Sequence, residues 1–511
     1  MMPERCPITM RLPGIALGLA VACAPVLADT PSEQELGLLN RIGYGATPRD
    51  LDDYRAQGRE AWLRQQLAFH ADDGLPHEAA AAIAALPISS ARPEDLAQKV
   101  IAARKAAQGK TPDEKREAQK ALRREFAQLD LQVFERRTLR ALYSPWQLQE
   151  MMTWFWFNHF NVFQNKKQVR FLLGDYEERA IRPHVLGKFR DLLRAVLMHP
   201  AMMVYLDNAE NVKGRINENY ARELMELHTL GVDGGYTQAD VEALARILTG
   251  AGIDLTGRRG DPRNGLFAFF PERHDAGPKS FLGLSFPGST SFAEIERALD
   301  ILCRHPSTAK LVSRKLAVYF LADDPPAELV ERMAVTFQIT DGDIAQTLAT
   351  LFASPQFADP QYAGKKFKDP VQWTYSSLRL LYPGEVLKNG RPLAGALAQL
   401  GQPVYGHQTP EGYGMKSRDW ASSDQLAKRF QLARSLVGGR ARLFVTAGAI
   451  DAGIEPGELR RVRQAYPIER ARIEPLVAPL LSAKTRNALE RAGDPQEWAA
   501  LVLSAPEFMY R

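Results

Sequence analysis

A chain of 511 residues with 45% hydrophobic residues can bury a substantial core, which excludes a disordered chain. Its formal charge of +5 is small for that length, and no basic run accompanies an RNA- or DNA-reading motif, so nucleic acid is not an expected partner. Three cysteines are too few for a disulfide framework.

Arg5 and Arg11 precede the apolar, small-residue stretch LPGIALGLAVACAPVLA, which ends at Val26-Leu27-Ala28. This reads as a secretory signal over 1–28 with cleavage after Ala28, and Met10 is an alternative start. The stretch is short and broken by Pro13 and Pro25, unlike a membrane anchor. Lipid attachment at Cys23 stays open beside the soluble form, although Ala20 suits it poorly. No later segment is apolar for long enough to span a bilayer, so a periplasmic or secreted protein is expected. Cys6 and Cys23 fall inside the signal. The mature chain then keeps only Cys303, which excludes an internal disulfide and a zinc site built on several cysteines.

The remainder, 29–511, reads as a single all-α domain. Apolar residues recur at helical spacing from Pro31 to His70, and Thr47-Pro48 supplies a capping residue and an N1 proline. Residues 91–143 predict two long, exposed helices forming an arm, interrupted at GKTPDEK. SPWQLQEMMTWFWFNHFNVF predicts a buried or cleft-lining helix capped by Ser144, with Leu148, Met152, Phe155 and His159 on one stripe and Trp156 beside it. Residues 254–295 exchange the helical pattern for glycine, proline and phenylalanine, which predicts a long loop with a short hairpin. Helices resume from Ser291. A second glycine-rich loop follows at 400–420, carrying His407, Tyr413 and Trp420.

Between these lies NENYARELMELHTLGVDGGYTQADVEALARILTGAG, residues 217–252, where ionisable groups crowd one helix. At about 100° per residue, Ile216, Tyr220, Leu224 and Leu227 form an apolar stripe. Asn219, Arg222, Glu223 and Glu226 line one edge of it; Asn217 and His228 line the other. Glu223 sits nearest the core, where desolvation raises a carboxyl pKa. An ordinary surface explanation pairs Arg222 with Glu226 and Asn219 with Glu223, and leaves Glu218 solvated. After His228, Gly231, Gly234 and Gly235 permit a sharp exit, and Thr237 with Asp240 predicts a capping box.

Two chemistries suit these residues. Paired carboxylates beside aromatic rings suit glycoside cleavage, with Glu223 and Glu226 as acid and base, His159 and His228 assisting, and Trp156 stacking on sugar. Arg222 and Asn219 would orient the carboxylates and, with Trp156 and Asn158, bind substrate, and His274 and Asp275 would join them from the 254–295 loop. The same Glu and His set admits a metal-dependent oxidoreductase. Glu223-x-x-Glu226 followed by His228 departs from the Glu-x-x-His spacing of such centres, so no metal ligand is assigned and no cofactor is predicted, although a metal ion is not excluded. Walker, dinucleotide-binding, Gly-x-Ser-x-Gly and His-Glu-x-x-His motifs are absent.

The strings NENYARELMELHTLGVDGGYTQADV, WFWFNHFNVF, RHDAGPKSFLG, LGQPVYGHQTPEGY and LSAPEF, in this order, resemble the bacterial exported proteins grouped as DUF1800. The resemblance spans nearly the whole mature chain and implies a large, mostly helical secreted protein. It carries no catalytic assignment. Members are often encoded beside sulfatase- or alkaline-phosphatase-like exported proteins called DUF1501, which implies work on an envelope or extracellular polymer. The expected function is hydrolysis of a polysaccharide or envelope glycan. The alternatives are the oxidoreductase and a non-enzymatic envelope assembly partner of the DUF1501 protein.

Overall fold

Helix dominates from the first described residues of the computed structural model, which describes 30–255, 265–439, 442–453 and 466–511, with isolated positions between 457 and 464. The expected signal segment 1–28 lies outside the described residues. Ser32 opens α1 (Glu33–Ile42) and Thr47 opens α2 (Pro48–Gln57), each closing a capping box in which side chain and backbone satisfy one another reciprocally.

The arm is helical but only partly exposed. α3 (Pro93–Ala106) and α4 (Pro112–Tyr143) break where expected, and Thr111 caps the second. From Phe126 onward α4 turns into core, burying Val133, Phe134, Leu139 and Leu142. Arg137, also buried, enters because Glu177 receives its Nη1 at 2.5 Å and Tyr405 donates its hydroxyl to the same carboxylate at 2.8 Å. Sequence spacing shows an arginine on a thin apolar stripe. It does not show the partner that lets the arginine be buried.

α5 (Gln147–His159) is buried on every side, although its sequence mixes aromatic and polar residues. Its polar residues are satisfied individually: Gln149 binds the backbone of His70, and Glu150 accepts both Nη atoms of Arg182 at 2.7 Å. The helix begins two residues later than the Ser144-Pro145 signal suggests, with Ser144 Oγ accepting from the Trp146 amide.

α6 (Phe189–Met198) and α7 (Pro200–Tyr205) lead into α8 (Asn219–Glu223), which continues as a wider, π-helical turn over Leu224–Thr229. α9 (Gln238–Ile247) follows after the glycines, with the Thr237–Asp240 capping box formed. The 254–295 excursion is more ordered than a loop with one hairpin. β1 (Ala251–Ile253) pairs antiparallel with β2 (Phe267–Phe269), and β3 (Lys279–Phe281) pairs with β4 (Leu284–Phe286). Leu282 and Gly283 make the second turn with positive φ at both positions, the twist a two-residue hairpin favours.

The rest is again helical: α10 (Ala293–Arg304), α11 (Pro306–Phe320), α12 (Ala327–Ile339), α13 (Ile344–Phe352), α14 (Pro370–Leu381), α15 (Ser423–Val437) and α16 (Pro495–Ser504). α11 packs on α12, α12 on α13, α14 on α4 and α15 on α16. The π turn after α8 packs against α11, and that junction positions the groups below.

Candidate functional site

The π turn changes which side chains face inward. Thr229 Oγ1 reaches back to the Leu224 carbonyl at 2.7 Å, and the Leu230 amide reaches the Met225 carbonyl at 2.8 Å, so the turn holds one more residue than an α-helix. The buried face becomes Tyr220, Ala221, Leu224, Met225, His228 and Thr229. Ile216 and Leu227 leave the expected stripe: Ile216 is exposed and Leu227 is half-buried. The π turn accounts for Leu227, which spacing at 3.6 residues per turn cannot anticipate; Ile216 lies ahead of α8, outside the helix.

Glu223 and Glu226 both emerge half-buried from this segment. Burial raises the Glu223 carboxyl above its ordinary value of 4.5, and the charges of Glu226 and Glu411 raise it further against the opposing pull of Arg222. Glu411 comes from the 400–420 loop. Tyr205, at the end of α7, feels both Glu411 and Glu223, while Tyr236 feels Glu226, Arg222 and Glu223; burial and these charges keep both phenols protonated.

Arg222 is bound elsewhere than expected. It donates to Glu218 at 3.0 Å and to Gln238 at 2.9 Å, so Glu218 is engaged rather than merely solvated, and among the described residues Glu226 has no arginine partner. Asn219 donates to the Leu206 carbonyl at 3.1 Å instead of pairing with Glu223.

Asn158 holds the 400–420 loop. Its Oδ1 accepts from the Tyr413 amide at 2.7 Å and its Nδ2 donates to the Tyr413 carbonyl at 2.9 Å, a paired bridge in strand-like register. Asn161 donates to the carbonyls of His407 and Thr409, and Tyr205 donates to that of Gln408 at 2.8 Å. Gly412 lies so close that a Cβ there would sit 2.2 Å from the Asn158 carbonyl oxygen, which makes glycine necessary at this approach. These bonds are what bring Glu411 beside Glu223.

The two histidines form a separate, inner group. His159 Nε2 faces the His228 carbonyl at 3.1 Å, and Lys315 of α11 donates to His159 Nδ1 at 2.9 Å and to the Leu227 carbonyl at 3.2 Å. A lysine has hydrogens but no acceptor, so His159 is the neutral tautomer with its proton on Nε2. Burial and then Lys315 hold His159 well below 6.5 and His228 near 3, and burial pulls Lys315 down to about 8. His228 shares its helical segment with Glu223 and Glu226, yet the charge acting on both imidazoles is Lys315 rather than a carboxylate.

Three expected participants stand apart. Trp156 is fully buried and donates to the Val185 carbonyl at 3.0 Å, with Phe155 edge-on at 4.8 Å, so its ring has no face for a sugar. Periodicity placed it correctly beside a buried stripe but could not show how complete the burial is. His274 bridges the Thr249 carbonyl at 2.7 Å and Glu294 at 2.9 Å, with Lys279 on the same carboxylate oxygen at 2.7 Å. Asp275 grips Arg246, whose hydrogen bonds lower the carboxyl to about 2. Both residues anchor the hairpins.

Sequence reasoning passed over Glu411 and Lys315. Glu411 lies in the glycine-rich 400–420 loop, where a lone acid carries no local signal. Lys315 had a weak signal, since it lies on the line Leu311–Lys315–Tyr319 at i,i+4 spacing within an apolar helix.

Both nitrogen positions of His159 are used, and among the described residues no three histidine, cysteine or acidic side chains are arranged to hold a metal ion. The donor set therefore lends no support to the oxidoreductase alternative. No helix among the described residues is long and apolar enough to cross a membrane.

No curated protein and no solved structure matches this chain. The family model for "Protein of unknown function (DUF1800)" matches residues 37–510, and the chain belongs to that family.

Proposed function

We propose that the protein is a periplasmic or secreted hydrolase of a polysaccharide or envelope glycan, with Glu223 as general acid and Glu226 as the complementary base. The observation that carries the reading is the raised pKa of half-buried Glu223 between two other carboxylates. A carboxyl whose pKa is raised can protonate a leaving oxygen, and a second carboxylate beside it can take a proton from the attacking water. Glu411 sustains this separation by adding negative charge from the loop that Asn158 and Asn161 hold. Arg222 is held by Glu218 and Gln238 rather than by Glu226.

In this reading the glycosidic oxygen takes the Glu223 proton as its bond to the anomeric carbon breaks, and water attacks that carbon while losing a proton to Glu226. Tyr236, half-buried beside the acid cluster, takes the place first given to Trp156. Export follows from the signal-like sequence, and docking to a DUF1501 partner from the resemblance. Release of reducing ends from a panel of bacterial polysaccharides, compared between wild type and Glu223→Gln, tests the reaction. Equal release by the two proteins rules out Glu223 as the acid.

A further inference from the structure

Lys315 sits where a lysine is hard to keep. Its ammonium is enclosed between the end of α5, the π turn and α11, and among the described residues it has the His159 ring and the Leu227 carbonyl as acceptors but no carboxylate. Lys315 is half-buried, as are Leu227, whose carbonyl it meets, and Leu311 one turn earlier on α11. Beside it, His228 is wholly buried and neither ring nitrogen has a hydrogen-bond partner among the described residues. A buried imidazole carries one N–H and one lone pair, and leaving both idle costs free energy that a bound polar group would recover.

We propose that Lys315 is an imine-forming amine for a small, uncharged aldehyde or ketone, with His228 hydrogen-bonding the carbonyl oxygen and His159 orienting the amine. The geometry supplies each part. His159 Nδ1 and the Leu227 carbonyl fix two N–H directions of Lys315, and loss of the remaining proton to solvent leaves a lone pair pointing away from both. That lone pair attacks the carbonyl carbon, the C=O π electrons move to oxygen, and the nitrogen passes a proton to the oxygen to give a carbinolamine. Expulsion of that oxygen as water leaves the C=N bond, so amine and carbonyl are converted into imine and water without oxidant or reductant. The ionisable groups facing the amine are His159 from α5 and His228 from the π turn, both held neutral, so burial lowers the proton affinity of Lys315 with no counter-charge to restore it. The leucine rim favours an uncharged ligand over an anionic one. This site is independent of the hydrolase reading, since it uses none of Glu223, Glu226 or Glu411.

The test is reductive trapping on the full-length mature protein. Acetaldehyde and cyanoborohydride are added at pH 8, and peptide mass mapping follows the rate of ethylation at every lysine. Lys315 is expected to react roughly tenfold or more faster than the exposed lysines, because more of it is uncharged at that pH. His228→Phe, which fills the same space without a polar ring, is expected to slow Lys315 by roughly tenfold and leave the other lysines unchanged. An unmodified Lys315 among ethylated surface lysines overturns the proposal, as does a Lys315 whose rate is the same in His228→Phe.

Discussion

Lys315 donates to Nδ1 of His159 at 2.9 Å, and this contact fixes the imidazole as neutral with its proton directed at the His228 carbonyl. Three segments distant in sequence are joined by that pair, and they set the inner wall against which the carboxylates of the π turn stand.

Removing Glu411 or Glu226 alters the acid without touching it. Glu411→Gln deletes one of the charges that raise Glu223, so the Glu223 pKa falls. The basic limb of the pH–rate profile for glycan hydrolysis then moves to lower pH. Glu226→Gln shifts it the same way while also lowering the maximal rate by about a hundredfold or more, as loss of a general base does. A profile that stays in place in Glu411→Gln argues against any influence of the loop on the acid.

Asn158→Ala detaches the loop. Two hydrogen bonds to Tyr413 are lost from a buried position, a destabilisation of about 1–3 kcal/mol. Amide exchange over 407–416 rises while exchange in α5 stays slow. Gly412→Ala is expected to mimic it by steric conflict, so protection that survives both variants shows that the loop is held by other contacts.

The buried pair Arg137–Glu177 behaves differently under single and double replacement. Arg137→Met strands a carboxylate that is itself buried and costs about 3–5 kcal/mol, whereas Arg137→Met combined with Glu177→Leu recovers much of that loss. Urea melts of the three variants give the comparison. Additive losses would mean that the pair does not couple.

Acid weakens the fold through His228. Its folded pKa near 3 lies below the ordinary 6.5, so between these values the unfolded chain binds a proton that the folded chain refuses. Stability contributed here is complete above about 6.5 and drains away as pH falls toward 3, by roughly 1.4 kcal/mol per pH unit within the window. Lys315 acts on the alkaline side with the same sign: stability rises as pH climbs from about 8 to 10.5, where the unfolded lysine still holds its proton. Unfolding free energies across pH 4–10 for wild type, His228→Phe and Lys315→Met check both slopes, and each variant is expected to flatten its own.

How far the sequence was legible depends on whether the deciding interaction was local. Caps at Thr47, Thr111 and Thr237 were readable because a capping box needs only residues three apart. The all-α class followed from helical spacing along most of the chain. Hidden from the sequence were the Arg137–Glu177 pair, which draws half the arm into the core, and the π turn, whose extra residue exchanges Leu227 for His228 on the inner face. Glu223 is a partly desolvated carboxyl, as its place beside the apolar stripe predicts, and Asn158 and His159 are buried with the rest of α5. The long-range partners Glu411 and Lys315 had no local signature, and the glycine-rich stretch that suggested a cover for the site delivered His274 and Asp275 to an anchor elsewhere.

The assignment of Glu223 as the acid is tested most directly by measuring reducing ends released from bacterial polysaccharides by the mature protein and by Glu223→Gln at matched melting temperature. The expected result is turnover by the wild type on at least one polymer and a loss of about a thousandfold in the variant. Turnover that survives the substitution unchanged would contradict it.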